Sequence, residues 1–398
     1  MIESFLTVSY NTKSEEKTNL IGIKCERKCF EYMKKYDAAA IIWPSYTPDE
    51  GRTKIFWEQG EGEWQTVKSA TREKDGENWP RRPLWGYVNE ADPYVMESQI
   101  EAATDHGITV FIYDWYWYDG RPFLENCLND GFLKAKNNEK MKFYLMWANH
   151  DATYLWDVRN SDDLTVPVWR GAQPRDEFEK IAKRLTEKYF TLPNYYKIDN
   201  KPVFMLYDIE NLVEGLGGFE ETKDALAWFD DYVKSFGFDG MHFQHVKFGE
   251  YLSRLCRSDG RNMTETEALK ELGYSSMSHY QFAHFMPMSD MDYPTAIENM
   301  KKEWEECSKG EFIYFPHVSL GWDANPRFKK YDPNVLKDNT PENVEKAFRL
   351  AKEYADNHSE NPPLIIINSW NEWTEGSYFE PDDIYGYGYL EAAKRVFK

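Results

Sequence analysis

Cysteine is scarce: five in 398 residues, an odd number, with no C-x-x-C pair and no Cys/His cluster of zinc spacing. Neither a disulfide framework nor a structural metal of that kind is expected, and Cys25 and Cys29, one helical turn apart, read as ordinary helix residues. Long apolar runs are missing too. None approaches the roughly 18 residues of a membrane span, and Met1 to Asn19 lacks the basic start and apolar middle of an export signal. That leaves the compartment open: periplasm or cell surface if a signal was removed, cytoplasm otherwise. Positive charge is in deficit, with 48 Lys plus Arg against 68 Asp plus Glu and a formal charge of -20. Phosphate backbones and anionic membranes are repelled on average, so nucleic acid is not an expected partner. Linkers, repeats and low-complexity tracts are absent, and a single domain over 1–398 is expected, with 1–24 as an N-terminal extension.

Aromatic residues are in excess. The chain has 24 Phe, 27 Tyr and 15 Trp, more Tyr and Trp than a core needs. Each offers a flat apolar face with a polar edge, a match for the C–H faces and hydroxyl edges of sugar rings. The competing reading is amphipathic core filler.

Eight short apolar, β-rich runs recur along the chain: 38–43, 108–114, 142–147, 203–207, 240–245, 276–280, 312–317 and 364–368. Intervals between them are long enough for helical crossovers, the pattern of repeated βα units. Val203-Phe204-Met205-Leu206 and Ile365-Ile366-Ile367 are continuous rather than alternating, as buried parallel strands should be. An α/β fold, a single (β/α)8 barrel with extended βα loops, follows; such barrels span about 200 to over 400 residues. Helices are predicted over 92–106, 176–190 and 341–357, the first framed by Asp92-Pro93 and Gly107. Segments 44–93 and 249–273 read as long loops. The first carries Trp57, Trp64, Trp79 and Trp85, either a sugar-binding wall or a cluster that packs the loop on itself.

Barrel active sites lie where strands end and βα loops begin, and the strand ends here are polar and aromatic. Trp43 and Tyr46 follow the first run. Asp114, Trp115 and Trp117 end the second, Asn149 and His150 the third, and Tyr207 the fourth. Gln244 belongs to the fifth, His279 and Tyr280 to the sixth, and His317, Trp322 and Asp323 to the seventh. Singly each has a plain explanation, since a strand-end Asp often caps the next helix; together they make a ring able to bind many hydroxyls.

The eighth run is followed by Asn368-Ser369-Trp370-Asn371-Glu372-Trp373-Thr374-Glu375-Gly376. Two carboxylates three positions apart share one side of a turn. Glycosyl transfer needs such a pair, one group to protonate the departing oxygen and another to act as base or nucleophile. E-x-x-E alone arises on any solvated helix; its place beyond an apolar strand, among Asn and Trp, makes the chemical reading the stronger. Glu372 and Glu375 are the candidate catalytic residues, with Asn371, Trp373 and Tyr378 as candidate substrate contacts.

Continued through Ser377-Tyr378-Phe379-Glu380-Pro381, this segment resembles the N-E-W-x-E-G…E-P signature shared by glycoside hydrolase family 99, the endo-α-mannosidases, and the WbsX-like proteins. Gly107-Ile108, Phe111-Ile112-Tyr113, the run Phe143 to Asn149, and Gly321-Trp322-Asp323 with Arg327 extend the resemblance over 38–389, closer to the WbsX-like branch. What the resemblance implies is a (β/α)8 fold and a retaining, endo-acting cleavage of an α-linked, mannoside-like glycan with no enzyme-linked sugar. The first Glu, Glu372, would take the proton of the 2-hydroxyl so that this oxygen closes a 1,2-anhydro ring. The second, Glu375, would protonate the leaving oxygen and then activate water. These roles ask for a protonated Glu375 raised by desolvation against Trp, and an ionised Glu372 held down by hydrogen bonds. His150-Asp151 depart from the branch pattern and the loop 44–93 carries no mannosidase motif, so the chemistry transfers further than the sugar.

The alternatives are a WbsX-type glycosyltransferase and a non-catalytic glycan-binding barrel. No D-x-D in a nucleotide-sugar fold and no glycine-rich diphosphate loop supports the first, and the paired Glu speaks against the second. The expected partner is an oligosaccharide or polysaccharide; no metal and no cofactor is required.

Overall fold

The eight apolar runs all become strands. They are β1 Asp37–Ile42, β2 Val110–Tyr118, β3 Lys142–Trp147, β4 Lys201–Leu206, β5 His242–Val246, β6 Tyr274–Ser278, β7 in two pieces, Ile313–Tyr314 and His317–Ser319, and β8 Leu364–Asn368. The computed structural model describes residues 36–398 except 49, 71–80, 165, 262, 310 and 311. The extension 1–24, Cys25, Cys29 and Trp79 lie outside the described residues. Asp37–Lys398 forms a compact unit that carries the whole barrel.

Strands pair in parallel in chain order, and β1 pairs with β8 from Asp37↔Leu364 to Ala40↔Ile367. The first piece of β7 pairs with β6 and the second with β8. Between them Pro316, lacking an N–H, interrupts the strand. The stave still binds both neighbours: Phe315 N donates to Met277 O at 3.0 Å and Ile366 N to Pro316 O at 2.9 Å. Eight staves therefore close the ring, a TIM-barrel-like α/β fold. Its wall is apolar, with Ala38 to Ile42, Phe143 to Met146 and Leu364 to Ile367 all 0 or 1% exposed.

Crossover helices take the expected places. Asp92 caps Pro93–Asp105 by accepting from Tyr94 N, and Gly107, at φ +88°, ends the turn beyond it. Pro341–Asn357 is helical as predicted, and 176–190 becomes Arg175–Leu185 followed by a π turn, Thr186–Phe190. Among the described residues no helix is long and apolar enough to cross a membrane.

Four details depart from the predicted elements. β2 runs past Asp114 to Tyr118 because its end folds back on Arg121–Phe123, with Tyr116 opposite Phe123 and Tyr118 opposite Arg121. β6 stops at Ser278, so His279 and Tyr280 belong to the loop. The interval 44–93 contains a short helix, Trp64–Lys68, and packs on itself and the barrel rim: Trp57 stacks on Trp156 and Trp64 lies 4.1 Å from Tyr46. Segment 249–273 holds two helices, Tyr251–Ser258 and Glu265–Glu271, the latter closed by a Thr264–Glu267 capping box.

Candidate active site

Beyond β8 the chain makes a tight hairpin in which Asn371–Glu372 pairs with Ser377–Tyr378 around the single 3-10 turn Trp373–Glu375. Asn371 fastens this hairpin to the end of β1, accepting from Trp43 N at 2.8 Å and donating to Trp43 O at 2.9 Å. Glu372 N donates to Ser369 Oγ at 2.7 Å. A 3-10 turn repeats every three residues, so side chains three apart eclipse, and Glu372 and Glu375 face the same way. Gly376 ends the turn at φ +63°, and a Cβ there would stand 3.0 Å from the Cβ of Asp323, which is why glycine follows Glu375.

Both carboxylates meet one guanidinium. Arg327 donates from Nη2 to Glu372 Oε1 at 2.8 Å and from Nη1 to Glu375 Oε1 at 2.7 Å, while its Nε donates to Thr374 Oγ1 at 3.0 Å. A further carboxylate, Glu63 of the helix-bearing loop, lies 3.6 Å from Nη2. Glu63 is fully buried and accepts from Trp43 Nε1, from Ser45 Oγ at 3.0 Å and from Thr374 Oγ1 at 2.9 Å. Burial opposes the Arg327 charge, but Glu375, Glu63 and Glu372 together raise its affinity for its proton. One cation thus serves three carboxylates, and burial pushes Glu63 up, against Arg327 and its hydrogen bonds.

Glu372 departs from the expectation that hydrogen bonds hold its proton affinity down: the affinity is raised. Its side chain is 2% exposed, that of Glu375 12%. Burial pushes Glu372 well above the ordinary carboxylate range, Glu375 adds to this, and Arg327 opposes it. Trp373 turns away to stack on Tyr378 at 3.9 Å and Trp370 packs behind the hairpin against Phe111, so neither lines the cavity that Glu375 faces. Oε2 of Glu375 has no hydrogen-bond partner among the described residues.

A fourth acid faces this pair. Tyr280 donates its hydroxyl to Asp114 Oδ2 at 3.0 Å and stands 3.3 Å from Glu372 Oε2. One phenolic proton serves one carboxylate at a time, so the phenol bridges both when one carboxyl is protonated and donates to it. Burial raises Asp114 well above its usual range, with the Tyr280 hydroxyl lowering it and Glu375 raising it further.

Asp114, Tyr280, Arg327, Glu372 and Glu375 line a cavity of ≈ 400 Å³ together with Trp43, Tyr116, His150, Trp156, Tyr207 and Phe248, inside the range of about 300–1,000 Å³ usual for small-molecule sites. Trp43, Asp114, His150, Tyr207, Tyr280, Glu372 and Glu375, all candidates from the sequence, are brought together here. Burial lowers the affinity of His150 for a proton, opposed by the contact of its Nδ1 with Asp151 O at 2.9 Å.

The other candidates stand outside the cavity lining, in supporting positions. Tyr46 accepts from Trp373 N at 3.2 Å. Trp115 donates to Glu125 and Trp117 to Glu177. Asn149 ties to the Asp208 backbone, accepting from its N and donating to its O. Gln244 accepts from Tyr144 Oη, and His317 Nε2 lies 2.9 Å from Ser319 Oγ. His279 turns toward Glu303, and Trp322 is half-buried. Asp323 accepts from Asn325, Asn371 holds the hairpin to β1, and Tyr378 donates to Asp382. Trp373 donates to Glu380 Oε2 at 2.6 Å.

Sequence reasoning placed Tyr116 in the strand-end ring without singling it out, passed over Glu63, Trp156 and Phe248, and noted Arg327 only within the resemblance. It also passed over a buried acid pair beneath the hairpin. Asn371 Nδ2 donates to both oxygens of Glu90 at 3.0 Å, and Gln99 Nε2 reaches Glu90 at 3.3 Å and Glu380 at 2.7 Å. Burial pushes Glu90 up to about 7 and Glu380 well above the carboxylate range.

Comparisons with known proteins cover nearly the whole barrel. Two proteins of Xanthomonas campestris pv. campestris, both described as uncharacterized protein WxcX, are 24% identical over 361 residues, 90% of this chain and 49% of theirs. The chain spans about half the length of the curated relatives it matches. A GH99 endo-alpha-mannosidase from Bacteroides thetaiotaomicron superposes with TM-score 0.56 and 13% identity over 90% of this chain and 96% of its own. A glycoside hydrolase-like protein does so with TM-score 0.55 and 16% identity over 92% and 94%. At such identities the likeness speaks for the fold. Residues 38–393 match the family described as Glycosyltransferase WbsX, from β1 to the C-terminal helix, and the chain belongs to that family.

Proposed function

We propose that this protein is a carbohydrate-active enzyme, a glycoside hydrolase that cleaves within an α-linked, mannoside-like glycan and retains anomeric configuration through its substrate's own 2-hydroxyl. The observation that carries this reading is the Arg327 bridge, which sets Glu372 and Glu375 side by side in one aromatic-walled cavity. Glu375 gives its proton to the glycosidic oxygen as the C1–O bond breaks. Glu372 takes the 2-hydroxyl proton as O2 bonds to C1, forming a 1,2-anhydro sugar and the shortened leaving glycan. Water then attacks C1, passing a proton to Glu375, and O2 recovers its proton from Glu372, restoring both groups.

A buried Glu372 suits its part. A raised proton affinity makes its carboxylate a stronger base than an exposed one, and Glu375, the more exposed of the two, has a free oxygen for the leaving group. Arg327 limits the repulsion between the two while the proton moves. Faces of Trp43, Tyr116 and Trp156 supply apolar walls for sugar C–H groups.

The family's description favours a second reading, transfer to an acceptor hydroxyl in place of water. Incubation with a panel of glycans, followed by mass spectrometry of the products in ¹⁸O-labelled water, separates the two. Hydrolysis places one ¹⁸O at the new reducing end. Nucleotide release from a nucleotide sugar with an acceptor, and no labelled product from any glycan, would replace hydrolysis by transfer.

A further inference from the structure

Among residues that do not line the reaction cavity, His279 beyond the end of β6 meets the helix Tyr293–Cys307. His279 follows β6, and Glu303 and Cys307 lie one turn apart on that helix, so both face the same side. One ligand atom from each of the three lies within 4.8 Å of the others. Glu303 Oε1 is 3.4 Å from His279 Nε2 and 3.4 Å from Cys307 Sγ. A tetrahedral ion with metal–nitrogen and metal–oxygen bonds near 2.1 Å and a metal–sulfur bond near 2.3 Å has ligand-to-ligand edges of roughly 3.4–3.6 Å. The existing separations already match two of those edges.

Two further observations point to a ligand. Nε2 of His279 is buried and makes no aligned hydrogen bond among the described residues, although the Glu303 carboxylate stands 3.4 Å away. Its other nitrogen, Nδ1, lies 2.9 Å from the Tyr314 hydroxyl, the kind of second contact that fixes the ring orientation of a metal-bound histidine. In addition, Glu303 and Cys307 line a cavity of ≈ 540 Å³, which leaves a fourth direction open to solvent. Lys247, a cation beside the group, is held by Glu265 at 3.0 Å.

We propose that His279, Glu303 and Cys307 bind a divalent metal ion of the zinc class, with solvent as the fourth ligand. Imidazole, thiolate and carboxylate together select a borderline-soft ion and not magnesium or calcium, which take oxygen ligands. The Cys307 thiol gives its proton to solvent as sulfur bonds to the metal. Tyr280, which touches Asp114 and Glu372, is the next residue after His279. The ion thereby anchors the loop that carries Tyr280 to the helix, as a structural site.

The test uses the full chain, stripped with chelator, loaded with Zn²⁺ or Co²⁺ and freed of excess metal by gel filtration. The expected result is one metal per chain, a sulfur-to-cobalt charge-transfer band that Cys307→Ser abolishes, and a Zn²⁺-dependent rise in Tm that both Cys307→Ser and Glu303→Gln lose. Circular dichroism of the stripped variants establishes their folding, and Glu303→Gln serves alone if Cys307→Ser fails to fold. No retained metal on folded wild type, or retention and a cobalt band unchanged in a folded variant, overturns the proposal.

Discussion

Arg327 donates to Glu372 at 2.8 Å from within a cluster that holds two more carboxylates, Glu375 and Glu63, within 3.6 Å of the same guanidinium. Removing the cation therefore leaves several acids without a counter-charge in a desolvated site.

Arg327→Gln is expected to destabilise the fold by about 3–5 kcal/mol at neutral pH, the range for breaking a buried ion pair from one side. The loss shrinks as pH falls, because protonating the stranded carboxylates removes their need for a partner. Urea denaturation at several pH values checks this. A variant as stable as wild type at neutral pH would contradict the role given to Arg327.

Glu372→Gln and Glu375→Gln are each expected to lower turnover by orders of magnitude with the fold intact. Their dependence on the leaving group differs. An aryl leaving group needs little protonation, so Glu375→Gln should lose less activity on an aryl glycoside than on a glycan, whereas Glu372→Gln loses as much on both. Wild-type kcat/KM is expected to fall on the acid side at a pH above the ordinary carboxylate range, since Glu372 has to be ionised and burial holds its proton. Steady-state kinetics against pH with both substrates decides the assignment.

Tyr280→Phe removes one donor from Asp114 and Glu372 without changing the ring. A hydrogen bond to a charged group contributes about 1.5–3 kcal/mol, so kcat/KM is expected to drop roughly 10- to 150-fold. Because the hydroxyl lowers Asp114, its loss raises that carboxyl further. Kinetics with circular dichroism as a folding control measures this; unchanged kinetics would place Tyr280 outside the working site.

Glu90 links pH to stability. Its native carboxyl is raised from 4.5 to about 7 by burial, with hydrogen bonds from Asn371 and Gln99 opposing. The native state then holds a proton that the unfolded chain releases, so the contribution is full below pH 4.5 and is lost as pH rises through about 7. The loss amounts to about 3 kcal/mol at most. Urea midpoints should fall between pH 5 and 7 in wild type, and Glu90→Gln should flatten that slope.

Much of the barrel was legible because parallel strands buried on both faces leave continuous apolar runs. Ile365-Ile366-Ile367 and Val203-Phe204-Met205-Leu206 are such runs, and Asp92-Pro93 with Gly107 brackets a helix by cap chemistry alone. Boundaries set by pairing were not legible: β2 reaches Tyr118 only because Arg121–Phe123 folds back on it, and the end of β6 before His279 depends on its neighbours. In loop 44–93 the tryptophans drew attention, yet Trp57 and Trp64 pack the loop while Glu63 between them faces Arg327. A single Glu among charged loop residues carries no periodicity that would set it apart.

The sequence by itself determined the eight-stave pattern, the strand-end ring of polar and aromatic residues, and the E-x-x-E pair beyond the last strand, because each depends on residues adjacent or at fixed spacing. Tertiary structure alone decided which acids share Arg327, that Glu372 is the more buried of the pair, and that His279 meets Glu303 and Cys307. Burial and counter-charge are sums over neighbours distant in the chain, and those sums set proton affinity.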